Sequence, residues 1–118
     1  AQVVVRDLAG GVGAIAASIR ERFAGRVDPQ QSKGYTLDLV PTGVSKATGI
    51  EAILRATGIR ADEVMACGDS DNDLSMLRLA GTSVVTANGQ EEAKALATYL
   101  APSCDEDGVA RAIEELVL

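Results

Sequence analysis

Val64-Met65-Ala66-Cys67-Gly68-Asp69-Ser70-Asp71-Asn72-Asp73-Leu74-Ser75-Met76-Leu77 decides the fold. Four apolar residues in an unbroken row suit a strand buried on both faces, as in a parallel sheet. The run stops at a glycine, and a helix is predicted from about Asn72 to Ala80. A strand that ends where a helix begins marks the ligand-binding end of an open α/β sheet. Downstream the rhythm repeats: a strand over Thr82 to Thr86, a helix over Gln90 to Ala97, a short strand over Tyr99 to Ala101, and a last helix over Gly108 to Val117. Upstream, Ser45 is placed to cap a helix that reaches about Ala56, carries Ile50, Ile53 and Leu54 as an apolar stripe, and stops at Gly58. Alternating elements joined by short loops predict parallel strands with flanking helices.

Residues 1–44 read differently. Val3 to Val5 favours a short strand, Ala14 to Phe23 a helix with Gly25 behind it, and Tyr35 to Pro41 a strand whose Tyr35, Leu37 and Leu39 face one side. Pro41-Thr42-Gly43 closes this small α+β segment, so the expected division is 1–44 and 45–118.

Composition narrows the chemistry. The 118 residues make about one small domain. Eleven basic side chains against seventeen acidic ones give a net charge of −6, which repels nucleic acid and anionic membrane. No histidine is present, so Cys/His zinc sites and Ser-His-Asp triads are excluded. Cys67 and Cys104 form no disulfide framework and read as reduced structural thiols of a cytoplasmic protein. The low-charge stretch from Leu8 to Ile19 is too short to span a bilayer and lacks the basic start of a signal peptide.

Chemistry therefore rests on carboxylates, amides, hydroxyls and lysine. Asp69 and Asp73, four apart across a turn, can present two carboxylates toward one point, and hard oxygen ligands of that kind suit Mg²⁺. Asn72 adds an uncharged amide. Asp71 reads as a helix-capping acid, and capping could account for Asp69 as well. An EF-hand is excluded, since the run lacks glycine at the sixth loop position and glutamate at the twelfth. Lys46 falls in the first turn of a helix, where a cation opposes the macrodipole and a bound anion would compensate. Alone, it reads as a solvated surface lysine.

Gly43-Val-Ser-Lys46-Ala-Thr-Gly-Ile, Gly68-Asp-Ser-Asp-Asn-Asp-Leu-Ser-Met-Leu77, Asn88 and Asp105-Glu-Asp-Gly-Val-Ala110 together resemble the C-terminal part of a haloacid dehalogenase (HAD) superfamily phosphatase of the Cof-like or sucrose-phosphatase-like class. The resemblance implies a partial Rossmann-like HAD core preceded by part of an α+β cap. It also implies Mg²⁺-dependent hydrolysis of a small phosphorylated metabolite through an aspartyl-phosphate. Lys46 would neutralise the transferring phosphoryl group, Asp69 would ligate Mg²⁺, and Asp73 would support the metal shell. Asn72 would contact phosphate or metal-bound water, and Asn88 would line the same end of the sheet.

The family's nucleophile segment, Asp-x-Asp-Gly-Thr, does not occur here. The chain thus reads as half a cap plus half a core, inactive alone. Its partner is either the N-terminal half of the enzyme or a second copy covering the apolar edge of the Val64–Cys67 strand. Two other readings are a non-catalytic regulatory or scaffolding remnant and a dinucleotide-binding module. The latter rests on Gly11, Gly13 and Ala16 after Val3 to Val5, with Asp28 as the ribose acid. Arg6, Lys33, Tyr35 and Asp38 are candidates to face a leaving group but read as ordinary surface residues.

Overall fold

The computed structural model describes residues 3–32 and 35–118. Lys33 lies outside the described residues. Two three-stranded sheets organise the chain. In the first, β1 (Val3–Arg6), β2 (Val27–Ser32) and β3 (Thr36–Pro41) run antiparallel in the order β1-β3-β2. Helix α1 (Val12–Arg22) covers one face, with Val12 and Ala16 buried against Leu37, Val5 and Leu39. Tyr35 precedes β3 and stays exposed, so the inward alternation holds for Leu37 and Leu39 alone.

Strand β2 has no counterpart among the elements expected from sequence. Its Val-Asp-Pro-Gln-Gln-Ser composition lacks the β-branched and aromatic content of a strand, and Pro29 cannot donate to a ladder. An edge position resolves this, since among the described residues β2 pairs with β3 alone and the proline sits on the edge. The topology also overturns the dinucleotide reading: β1 and β2, which flank α1, run parallel to each other but β3 lies between them, so they are not the adjacent strands that this reading requires. The glycines before α1 serve a turn instead. Asp7 accepts the Ala9 N–H at 2.9 Å and the Gly11 N–H at 3.0 Å, and a Cβ on Gly11 would lie 2.6 Å from that carboxylate.

The second sheet is parallel, in the order β4 (Met65–Gly68), β5 (Thr82–Thr86), β6 (Tyr99–Ala101). Its central strand buries Val84 and Val85 on opposite faces. Val85 packs with Ala66, Leu77 and Ala93 beneath α3 (Leu74–Leu79) and α4 (Glu91–Lys94), and Val84 with Ala101 and Ala112 beneath α5 (Gly108–Leu116). A 3₁₀ turn, Asp71–Asp73, precedes α3, so the regular helix starts two residues later than expected. Helix α4 ends at Lys94 rather than Ala97. Ser83 draws the chain out of the helix, donating to the Leu96 carbonyl at 2.6 Å and accepting the Thr98 N–H at 3.0 Å.

Helix α2 (Lys46–Thr57) follows its sequence signals closely. Ser45 accepts the Thr48 N–H and Thr48 returns a bond to the Ser45 N–H, closing a capping box, while Gly58 ends the helix at φ 78°. Ser45→Ala is expected to cost about 1 kcal/mol and to lower the melting temperature by about 4 °C in calorimetry. The apolar stripe of α2 is only partly covered: no α2 residue is fully buried, and Ile53 is 61% exposed. β4 has β5 as its single neighbour among the described residues, and α5 exposes Val109, Ile113 and Leu116.

Candidate active site

The site begins at the carboxyl end of β4, where the chain turns sharply from Gly68 into the Asp71–Asp73 turn. Asp73 is its hub. Its side chain is only 5% exposed, and both oxygens are engaged. Oδ1 accepts a hydrogen bond from Lys46 Nζ, which reaches across from the first turn of α2 to form an ion pair. Oδ2 accepts the Asp69 N–H at 3.0 Å, the Ser70 N–H at 3.3 Å and the Ser70 hydroxyl at 3.3 Å. Burial pushes the Asp73 carboxyl up. The Lys46 hydrogen bond, the two backbone donors and the Lys46 charge together outweigh it and hold the group below its ordinary range. Within the chain itself, the anion that offsets a lysine at a helix start is thus Asp73.

Close backbone approach requires glycine at 68. A Cβ there would stand 2.6 Å from the Asp73 Cβ, inside any tolerable contact. Gly68→Ala must displace Asp73 from the loop, and roughly 2 kcal/mol of destabilisation is expected on denaturant titration. The remaining side chains of the run fasten it to its surroundings. The Ser70 hydroxyl shares its one proton between Asp73 Oδ2 and the nearer Asn72 Oδ1, at 2.7 Å, and Gln90 accepts the Asp71 N–H at 2.8 Å through its side-chain oxygen. Ser75 accepts the Ala47 N–H at 3.4 Å, linking α3 to the start of α2. Ser70, Ser75 and Gln90 were not singled out from sequence. Only their neighbourhood to the acidic run could have pointed to them.

Asp69 is arranged otherwise. Its carboxylate has no hydrogen bond or ion pair among the described residues, while its backbone carbonyl accepts the Gln90 N–H at 2.8 Å. It lines a cavity of about 240 Å³ with Thr86, Asn88, Cys67 and Cys104. Asn88 Oδ1 accepts the Cys104 N–H at 2.9 Å and fixes the loop after β5 to the turn after β6. The two cysteines are free and differ in setting. Burial pushes the Cys67 thiol up, whereas Cys104 is exposed at the cavity and is not a core residue. An unpaired carboxylate at a strand's exit is a fitting donor for a hard cation. No three acidic or thiol side chains among the described residues are grouped to hold a metal by themselves. A cation on Asp69 would complete its shell with water, phosphate oxygens or further carboxylates, the habit of Mg²⁺.

Lys46 and Asn72 line a second cavity, of about 220 Å³, beneath the first sheet. Lys46, Asn72 and Asp73 are thus brought together, with Asp69 joined to them through its N–H. Asn88 shares the other cavity with the Asp69 side chain. The Asp-Glu-Asp-Gly run at 105–108 is spent on a turn: Ser103 accepts the Asp105 N–H at 3.3 Å, and Asp107 adopts φ 58° before α5.

The chain matches the family model described as haloacid dehalogenase-like hydrolase over residues 2–113. It is 38% identical over 113 residues to the chloroplastic endoribonuclease YBEY of Arabidopsis thaliana, a match covering 95% of this chain and 19% of that protein. A 5-amino-6-(5-phospho-D-ribitylamino)uracil phosphatase of Bacillus subtilis is 36% identical over 81 residues, 69% of this chain and 30% of that one. Among solved structures, a haloacid dehalogenase-like hydrolase from Bacteroides thetaiotaomicron superposes with a TM-score of 0.85 at 38% identity, covering 98% of this chain and 44% of its own. The chain therefore spans less than half the length of these relatives.

Proposed function

The chain belongs to the haloacid dehalogenase-like hydrolases, and we propose that it forms the cation- and phosphate-holding part of a Cof-like phosphomonoester hydrolase. The observation that carries this reading is the Lys46–Asp73 pair, clamped to the loop that presents the unpaired carboxylate of Asp69. Lys46 Nζ, with donors left over from its bond to Asp73, gives one to a phosphoryl oxygen, where negative charge must be balanced. Asp73 holds that ammonium in place. The amide of Asn72 orients the phosphoryl group from the Lys46 side, and Asn88 closes the opposite cavity. Asp69 would hold Mg²⁺, with Asp73 supporting its loop, and the ion would supply charge neutralisation for the phosphoryl group.

Hydrolysis through an aspartyl-phosphate requires a carboxylate nucleophile, and no Asp-x-Asp-Gly-Thr segment occurs in residues 1–118. In this proposal the nucleophile comes from an N-terminal half of the enzyme, seated against the open edge of β4 and the exposed apolar residues of α5. Its substrate is a small phosphorylated metabolite.

Residues 1–118 alone are expected to leave p-nitrophenyl phosphate intact. Hydrolysis should appear when a polypeptide bearing Asp-x-Asp-Gly-Thr is supplied, and Asp69→Asn should abolish the gain. Turnover by residues 1–118 alone, lost in Asp69→Asn, would contradict the proposal.

A further inference from the structure

The loop after β5 grips the Asp-rich turn at two points, and Gln90 supplies both. Its N–H donates to the Asp69 carbonyl at 2.8 Å, and its side-chain oxygen accepts the Asp71 N–H at 2.8 Å. Gln90 holds the N-cap position of α4, where a short polar side chain would fold back onto its own helix. No such capping bond forms, and the longer side chain reaches out to the neighbouring loop instead. The platform behind it is fixed. The Gly89 N–H donates to the Thr86 carbonyl at 2.8 Å, and Asn88 accepts the Cys104 N–H at 2.9 Å. A Cβ on Gly89 would stand 3.2 Å from the Asp69 carbonyl oxygen, so the two loops lie this close because residue 89 has no side chain.

Asp69 is thereby held through its backbone alone. Its N–H is bound by Asp73 and its carbonyl by Gln90, while its carboxylate has no hydrogen bond or ion pair among the described residues and lines the cavity of about 240 Å³. Resting on the phosphatase reading, we propose that Gln90 is a positioning residue for the cation: by bracketing Asp69 to Asp71 it fixes the direction in which the Asp69 carboxylate is presented. Two physical reasons support this. A loop already ordered loses less conformational freedom when it takes up an ion. Mg²⁺ also demands near-ideal octahedral geometry, so it is sensitive to a misdirected ligand. A neutral amide suits the task, since it offers the Asp71 N–H an acceptor without adding a further negative charge to Asp69, Asp71 and Asp73.

Mg²⁺ titration of residues 1–118, followed by NMR at the Asp69 and Ser70 amides, tests this without turnover. Gln90 is exposed, so substitutions there should leave the fold intact. Gln90→Met removes the side-chain acceptor and keeps the backbone bond. Mg²⁺ is expected to bind about fivefold more weakly to it, the worth of one hydrogen bond, and the Asp71 amide should exchange faster with solvent. Gln90→Glu keeps an acceptor at the same reach. It should protect the Asp71 amide as the native residue does and bind Mg²⁺ at least as tightly as the native protein, since its added charge attracts the cation. Equal Mg²⁺ affinity in the native protein and Gln90→Met, or a loss shared by Gln90→Glu, overturns the positioning role while the phosphatase reading stands. If Mg²⁺ leaves the native Asp69 and Ser70 amides unshifted, the cation-holding reading fails and this inference fails with it.

Discussion

Asp73→Ala is expected to lose about 3 kcal/mol of stability, the largest effect of any single substitution in the loop. Four donors converge on this carboxylate: the Lys46 ammonium, the Asp69 and Ser70 amides and the Ser70 hydroxyl. Alanine leaves the two amides without an acceptor in a part-buried turn. Thermal unfolding should show a drop of roughly 12 °C. Asp73→Asn, which preserves shape and an acceptor but not the charge, should fall between alanine and the native protein. The pH dependence follows from the sign of the shift. The folded Asp73 carboxyl lies below its ordinary value of 3.8, so the stabilisation from its ionisation is fully present above that value. It is lost as pH falls through the lower, folded value. The gap between native protein and Asp73→Asn should thus be constant at neutral pH and shrink below pH 3.8. A gap that widens on acidification would mean that the carboxyl is held protonated.

Lys46→Met should act mainly on chemistry. The lysine side chain is 48% exposed, so removing it costs less stability than removing its buried partner. In the enzyme completed by its nucleophile, turnover is expected to fall by about 10²–10³, as when a charge-stabilising donor is deleted. Lys46→Arg should recover only part of this, because a planar guanidinium cannot place its charge where a compact ammonium does. Full activity in Lys46→Met, measured as kcat on p-nitrophenyl phosphate, would remove Lys46 from the reaction.

Where local chemistry fixes structure, the sequence could be read closely. Thr82–Thr86 and Tyr99–Ala101 form strands at the expected bounds, and Ser45 and Gly58 cap α2 as their types require. The Asp-rich turn after β4 carries the pairing of Asp73 with Lys46, residues that are 27 positions apart. Their meeting depends on α2 and α3 packing side by side, which no local pattern encodes; the family resemblance implies a phosphate role for Lys46 and a metal-shell role for Asp73, not their pairing. Strand β2 escaped because its partner, not its composition, makes it a strand. Its role in lining the Lys46 cavity escaped with it, since Gln30 looks like any polar residue until its register with Asp38 is known. The shortened α4 has a similar origin, with Ser83 and Thr98 from separate elements exchanging hydrogen bonds that the helix pattern of Gln90 to Ala97 does not reveal.

A crystal grown with a magnesium salt and inorganic phosphate would test most directly whether one loop gathers both ions. Magnesium bonded to a carboxylate oxygen of Asp69, and a phosphate oxygen within hydrogen-bonding reach of Lys46 Nζ and sharing that magnesium, is the predicted result. Magnesium bound elsewhere with Asp69 bare, or phosphate settled away from Lys46, would contradict it.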